Sequence, residues 1–153
     1  MNSGMNDIGA KLIWAAGGAL SATAAGTGDA TKKTGSTIDR LGYASGKLVG
    51  QTIVTLASDK ALNVVVEYQL SANNSDWDTA VALYSEVAIA SVTTAITAGV
   101  YKAFEVDLNL DPFKRYIRFN VTPDLTAAGT DTAALQWGMV LGGYLSNPVT
   151  ASE

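Results

Sequence analysis

Alternation with a period of two residues is the feature that most limits what this chain can fold into. In the segment ALNVVVEYQLSA, apolar Leu62, Val64 and Val66 alternate with polar or differently facing residues such as Asn63 and Glu67. Such alternation is typical of β-strands, because successive side chains point to opposite faces of a sheet. The helical period of about 3.6 residues does not recur over a useful length. The sequence therefore predicts an all-β protein.

Further segments carry the same signal. They are GALSATA (18–24), KLVGQTIVTLA (47–57), TAVALYSEVAIA (79–90), GVYKAFEVDLNL (99–110), KRYIRFNVT (114–122) and TAALQWGMVLGGYL (132–145). The last is apolar on both faces, which predicts a central strand or one covered by a partner. About seven or eight strands at this spacing predict a jelly-roll-like, two-sheet antiparallel β-sandwich with an extended N-terminal arm.

The chain of 153 residues has the size of a single domain. We expect an N-terminal arm and first strand in residues 1–25, a flexible Gly/Thr-rich loop in 26–36, the sandwich body in 37–145 and a C-terminal tail in 146–153. The apolar stretch from Ile8 to Ala25 resembles a signal peptide only weakly. It is also too interrupted by Lys11 and by Gly17 and Gly18 to span a bilayer.

The charge composition limits the classes of partner that this chain can bind. Charged residues make up 16% of the chain and the net charge is −4, whereas globular proteins carry about 25% charged residues. We infer from the few charges that a partner covers part of the surface. No basic run accompanies an aromatic cluster, so the electrostatic attraction that drives nucleic-acid binding is missing. Neither nucleic acid nor a membrane is expected as a partner.

The chain contains no cysteine and no histidine. This absence removes disulfides, thiolate nucleophiles, imidazole bases and ordinary zinc or iron sites. Four acidic residues lie in predicted strands, where outward carboxylates normally keep a sheet soluble and block edge pairing; they are Glu67, Glu86, Glu105 and Asp107. We therefore expect no enzyme activity, no catalytic residues, no cofactor and no metal site.

The polar stretch QLSANNSDWDT admits a turn or an ion site. Asn74, Asp76 and Asp78 have the spacing of a calcium-binding EF-hand loop, but Thr79 stands where that loop needs glycine and Ser85 where it needs glutamate. Asn and Asp are common in turns because they bond to their own backbone. The stretch is predicted to be a structural hairpin built on Asn73, Asn74, Asp76 and Trp77, with Trp77 folded onto the sheet.

Two charged segments have competing interpretations. In TIDRLGY, Asp39 and Arg40 either contact a partner or form an ion pair or cap that fixes a corner of the fold. In KRYIR, alternation places Arg115 opposite Lys114 and Arg118, which favours a solvated face over an anion site.

The order of these motifs resembles a known family. IDRLGY, the Val-rich strands ending in LSANNSDW, then FKRYIRFNVT and a last strand ending in LGGY are similar to decoration (cement) proteins and related small head proteins of tailed bacteriophages. The resemblance runs from about Leu12 to Tyr144. It implies a structural virion protein, assembled in the bacterial host cytoplasm, that binds the exterior of an icosahedral capsid. It also implies capsid stabilisation by bridging of major capsid protein subunits, with homotrimers favoured over homodimers.

The residues expected to contact the capsid or a neighbouring protomer lie mainly in the arm. They are Leu12, Ile13, Trp14 and Leu20, together with Asp39 and Arg40. The alternative function is a carbohydrate- or receptor-binding module of a phage particle, which needs exposed aromatic rings. Of the three tryptophans, Trp137 is predicted to be buried and Trp14 lies in the arm, so Trp77 is the candidate for sugar stacking.

Overall fold

The structure is a computed structural model that describes residues 13–126 and 129–144, with the side chains of residues 17–126 and 129–142. These residues form two antiparallel sheets packed face to face, so the predicted all-β, jelly-roll-like sandwich is confirmed. The described ranges contain no helix, and hence none long and apolar enough to cross a membrane.

The strands follow the predicted segments closely. Their bounds are β1 (Ile13–Thr23), β2 (Lys33–Thr34), β3 (Ile38–Asp39), β4 (Tyr43–Leu56), β5 (Ala61–Ser71), β6 (Val81–Ser91), β7 (Ile96–Asn109), β8 (Tyr116–Leu125) and β9 (Thr132–Tyr144). The two-residue strands β2 and β3 escaped prediction, because two residues are too few for a period to be seen.

The strand order is that of a jelly roll. The first sheet runs β1-β9-β4-β7 and the second β2-β8-β5-β6, with β3 also paired to β8. Lys33 of β2 lies opposite Val121, and Ile38 of β3 lies opposite Ile117, so β2 and β3 follow the same edge of β8. Counted as one interrupted strand, they complete two four-stranded sheets. β9 lies between β1 and β4, as its two apolar faces predicted.

The hydrophobic core lies between the sheets. Every second residue of the central strands points into it, and burying each large side chain contributes about 1.5–3 kcal/mol. The rows with at most 3% exposure include Leu62, Val64 and Val66 of β5, Ile117, Phe119 and Val121 of β8, and Leu135, Trp137, Met139 and Leu141 of β9. These rows are the ones that the alternation predicted.

One glycine makes room for an aromatic ring in this core. Gly50 lies in the inward-facing row of β4, and a Cβ atom at this position would be 2.1 Å from the ring of Phe104. Real Cβ atoms do not approach a ring so closely, so any other residue would displace Phe104. The space where a side chain at position 50 would lie is therefore filled by the Phe104 ring of the neighbouring strand β7.

The N-terminal part of the chain departs from the expectation of an arm laid over a neighbour. Residues 13–23 pair with β9 of the same chain, from Ile13 opposite Leu141 to Thr23 opposite Thr132. A register shift between Ala16 and Gly18 interrupts the alternation, which hid the first half of this strand in the sequence. Of the expected arm, which runs from Ile8 to Ala25, the part from Ile8 to Leu12 lies outside the described residues, as does the predicted tail 146–153.

The Gly/Thr-rich segment 26–36 was predicted to be a flexible loop, but it has defined anchors. The Asp29 carboxylate accepts hydrogen bonds from the backbone N–H of Ala25 at 2.7 Å and of Leu125 at 2.9 Å. Gly28 has a positive φ of 81°, and a Cβ there would lie 2.1 Å from the carbonyl oxygen of Ser21. Composition alone does not reveal a single carboxylate that satisfies two backbone donors. The segment carries the chain from the first sheet to the second.

Candidate functional site

Three connections meet at one end of the sandwich, and we call residues 37–42, 72–80 and 110–115 together the loop end. The Thr37 hydroxyl donates to Asn74 Oδ1 at 2.9 Å, which joins the first connection to the second. Lys114 Nζ donates to Asp78 Oδ1 at 2.6 Å, which joins the second to the third. Two sets of predicted site residues, distant in sequence, are therefore brought together here.

Asp39 forms a two-pronged ion pair with Arg115. Arg115 Nη2 lies 2.7 Å from Asp39 Oδ2, and Arg115 Nε lies 3.1 Å from both carboxylate oxygens. The hydrogen bond from Arg115 holds the pKa of Asp39 below its ordinary value, against the opposing effect of burial, and raises the pKa of Arg115. Both side chains are more than two-fifths exposed, so the pair contributes only about 0–1 kcal/mol to stability.

Arg40 binds backbone carbonyls of its own chain. Its guanidinium donates to the carbonyl oxygens of Lys114 at 3.0 Å, of Tyr43 at 3.2 Å and of Phe113. Its backbone N–H donates to the Arg115 carbonyl at 2.9 Å. Three of the five N–H donors of this guanidinium are thus engaged by carbonyls of its own chain. Of the two interpretations of Asp39 and Arg40, the geometry favours the corner-fixing one.

Leu41 lies at the tip of this corner. The N–H of Tyr43 donates to the Arg40 carbonyl at 2.9 Å, and Gly42 has a φ of 85°, the arrangement of a type II turn. The turn directs Leu41 outward, and 61% of its surface is exposed. The N–H of Leu41 itself bonds to Asp39 Oδ1 at 3.0 Å. The sequence analysis named the flanking charged residues and missed this leucine, although IDRLGY places a large apolar residue directly before a turn glycine.

The QLSANNSDWDT stretch is a tightly bonded turn. Ser71 Oγ accepts from the N–H of Asn73 at 3.2 Å and of Asn74 at 2.9 Å, and Asn73 Oδ1 accepts from the N–H of Ser75 at 3.0 Å and of Asp76 at 2.9 Å. Asn74 has a φ of 63°, a conformation that Asn tolerates better than most residues. The side-chain oxygens of Ser71 and Asn73 are thus each occupied by two backbone donors. No cluster of three acidic residues, cysteines or histidines suited to a metal ion occurs in the part of the chain that the structure describes.

Trp77 lies on a polar face of the second sheet. Its ring is 4.2 Å from the guanidinium carbon of Arg118, a cation–π contact. Arg118 Nε donates to Gln69 Oε1 at 3.0 Å, and Asn120 Nδ2 donates to the same oxygen at 3.2 Å. Asn120 is 2% exposed. Trp77 therefore covers an internal hydrogen-bond network rather than an apolar surface, and one side of its ring is already occupied.

Of the predicted arm contacts, Ile13, Trp14 and Leu20 lie in β1 of the first sheet. Leu20 is partly buried against this chain's own core. The backbones of Ile13 and Trp14 pair with Leu141 and Val140, while their side chains and the whole of Leu12 lie outside what the structure describes. Trp137 is 3% exposed.

A second candidate surface is the outer face of the first sheet, which we call the first outer face. Two rows of exposed residues cross all four strands at its centre; the first is Ser21, Ala134, Ile53 and Tyr101, and the second is Ala19, Gln136, Gln51 and Ala103. Tyr101 is 72% exposed and Ile53 40%. Sequence reasoning could have found Tyr101, because it alternates with the inward row of Phe104 and Leu108.

The acidic residues considered for catalysis are each bound to a neighbouring side chain. Glu67 pairs with Lys32, Glu86 accepts from Asn63 at 3.0 Å, and Glu105 and Asp107 both pair with Lys47 at 3.2 and 3.1 Å. The hydrogen bond to Asp107 raises the pKa of Lys47, and the hydrogen bond to Glu105 raises it further. Each carboxylate thus neutralises or bonds a neighbour on the same sheet face.

Comparison with known proteins shows the fold. No family model matches the chain, and no curated protein sequence matches it. Among solved structures, a chain of infectious bursal disease virus, Gx strain, is similar at a TM-score of 0.51 and 11% identity, over 89% of this chain and 33% of that one. A chain of the T13 viral particle of the same virus gives a TM-score of 0.51 at 10% identity, over 88% and 31%. This chain spans about a third of their length and shares with them a jelly-roll-like β-sandwich.

Proposed function

We propose that this protein is a structural virion protein that binds the outer surface of an icosahedral phage capsid. In this role it stabilises the shell by bridging major capsid protein subunits, and it acts as a closed homo-oligomer; the family resemblance implies trimers and in some members dimers. Three observations support the proposal: the motif order described above, a fold also found in chains of a virus particle, and acidic side chains tied to neighbours rather than poised for chemistry.

The observation that carries the proposal is the exposed Leu41 on a rigid loop end. Asp39 and Arg40 are positioning residues in this account, because their bonds to Arg115 and to three carbonyls hold the turn in place. A preorganised apolar tip binds without the entropy loss of ordering a free loop. Repeated over many symmetric copies, a modest contact at each tip gives strong attachment to the shell.

Fewer residues of the arm are proposed to contact a neighbouring subunit than the sequence alone suggested. Because residues 13–23 pair within this chain's own sheet, a role in reaching a neighbouring subunit is proposed for Ile8 to Leu12, with Ile13 and Trp14 at the sheet edge as further contacts. Leu20 packs on the core, which leaves it less surface for a partner.

Co-sedimentation of the full chain with expanded capsids of the source phage tests the proposal. Leu41→Asp is expected to weaken binding at least 10-fold, since it places a charge where an apolar tip is buried. The matched control is Ala88→Asp, which puts the same charge on an exposed strand position of the second sheet. Both variants should melt near the wild-type temperature, because both sites are exposed.

Two results would contradict the proposal at different levels. Equal binding by Leu41→Asp and wild type would remove the loop end as the contact site. Absence of the protein from purified virions would remove the virion function itself.

A further inference from the structure

The first outer face has an uncharged centre and a charged margin. Its charged residues within the described ranges are Lys47, Glu105 and Asp107, which lie together toward one end of the sheet and pair with one another. The two central rows contain alanine, serine, glutamine, isoleucine and tyrosine. Protein interfaces have this distribution, with charged groups depleted at the core and present at the rim.

The two central rows differ in height. In the first row Tyr101 and Ile53 form a ridge on β7 and β4, and the Ile53 side chain lies over Gly99, where a Cβ would be 2.6 Å from Ile53 Cγ2. The other two residues of this row, Ser21 and Ala134, are small and border a second depression of about 530 Å³. In the second row Ala19 and Ala103 flank the glutamines, and this row borders a depression of about 680 Å³ that reaches Gly50 and Trp137. The ridge and the trough are neighbours on the same face.

We propose that the first outer face binds a second copy of this chain in a two-fold pair. A two-fold axis that runs across the strands between the two rows lays the ridge of each copy into the trough of the other. It places Tyr101 of one copy opposite Ala103 of its partner, and such isologous contacts close on themselves. The inference rests on the proposed function only for the expectation that the chain self-associates.

The size of the face suits such a pair. Four strands about 4.8 Å apart, each contributing about eight residues of 3.3 Å, give a footprint of about 500 Å² on each copy. Two copies then bury about 1,000 Å², which reaches the lower limit for a specific interface. The paired charges lie at the margin of this footprint, so the copies do not place like charges against each other at the centre.

A saccharide is the competing occupant, because Tyr101 with Gln51 and Gln136 supplies an aromatic ring beside amide groups. The uncharged centre of the face extends over four strands, further than a sugar ring covers. The second copy is therefore the occupant that the geometry favours.

Sedimentation of the full chain at micromolar concentration, without capsids, tests the pair. Wild type is expected to be a dimer, and Ala103→Arg, which fills the trough with a charged side chain, is expected to raise the dissociation constant at least 100-fold. The control Ala88→Arg makes the same change on the outer face of the second sheet and should stay dimeric. If Ala103→Arg fails to fold, Gln51→Arg in the same trough replaces it.

A cross-linking experiment tests the geometry directly, since the natural chain has no cysteine. Tyr101→Cys protein mixed with Ala103→Cys protein should form a disulfide-linked pair faster than either variant alone, because the two positions face each other only across the interface. Wild-type protein that is monomeric or trimeric overturns the two-fold pair. So does an Ala103→Arg variant that remains dimeric, or a glycan array in which a saccharide binds Tyr101 on a monomeric wild type. None of these results depends on capsid binding.

Discussion

The outer faces of the two sheets differ in how their side chains are satisfied. On the second sheet, Arg118 and Asn120 both donate to Gln69 Oε1, and Trp77 covers Arg118, so the central residues are half-buried or buried by their own chain. On the first sheet, the central residues are uncharged and exposed. A face closed by its own network has few unsatisfied groups to offer a partner, whereas an open face with little charge can lose its water at low cost.

The largest expected effect concerns the strand that borders the open face. Deleting residues 1–19 removes Ile13 to Ala19, more than half of β1, and exposes the edge of β9. We expect this variant to be unfolded or aggregated, because it loses most of the backbone hydrogen bonds between β1 and β9 and part of the strand that covers the core. Deleting residues 1–12 alone should leave the melting temperature within a few degrees of wild type. Equal stability of the two deletions, measured by thermal melting, would show that β1 does not support the face.

A second test compares the centres of the two faces directly. Arg118→Ala removes the stacking on Trp77 and one bond to Gln69, and we expect a loss of about 1–3 kcal/mol in the free energy of unfolding. Gln51→Ala on the first outer face should cost less than about 0.5 kcal/mol in the monomer. Urea denaturation of dilute protein measures both. Similar losses would mean that the faces do not differ as described.

The smallest expected effect is the pH dependence of the Asp39–Arg115 pair at the end of the second sheet. Since the folded-state pKa of Asp39 is lowered, the pair stabilises the fold above the ordinary aspartate pKa of about 3.9 and loses this effect as pH falls through the lowered value. Asp39→Asn should therefore cost about 0–1 kcal/mol at pH 6 and progressively less toward pH 2. A gap between the two denaturation curves that widens at low pH would contradict this.

Most of the strands and the β-sandwich class could be predicted from the sequence. Strand alternation is a local signal, and the buried rows of β5, β8 and β9 show it without interruption. It failed at β1, where the register shift beside Gly17 and Gly18 breaks the period. For segment 26–36 the composition does not reveal the anchoring role of Asp29, because that role depends on Leu125, distant in sequence.

The candidate sites were harder to predict than the strands. The bonds of Asp39 and Arg40 to Arg115 and Phe113 are made across more than seventy residues, so their structural role was one of two open interpretations. Exposure of Leu41 and Tyr101 depends on a turn and on the sheet face, which composition does not show. A strand pattern predicts which residues share a face, but not which face remains uncovered.

Hydroxyl-radical footprinting of the protein, free at low concentration, free at high concentration and bound to capsids, tests the central claim most directly. We expect Tyr101 to become protected at high concentration and to stay protected on the capsid, and Leu41 to become protected only on the capsid. Val87 at the edge of the second sheet should be labelled alike in all three states. Protection of Val87 on the capsid with Leu41 and Tyr101 still labelled would contradict this claim.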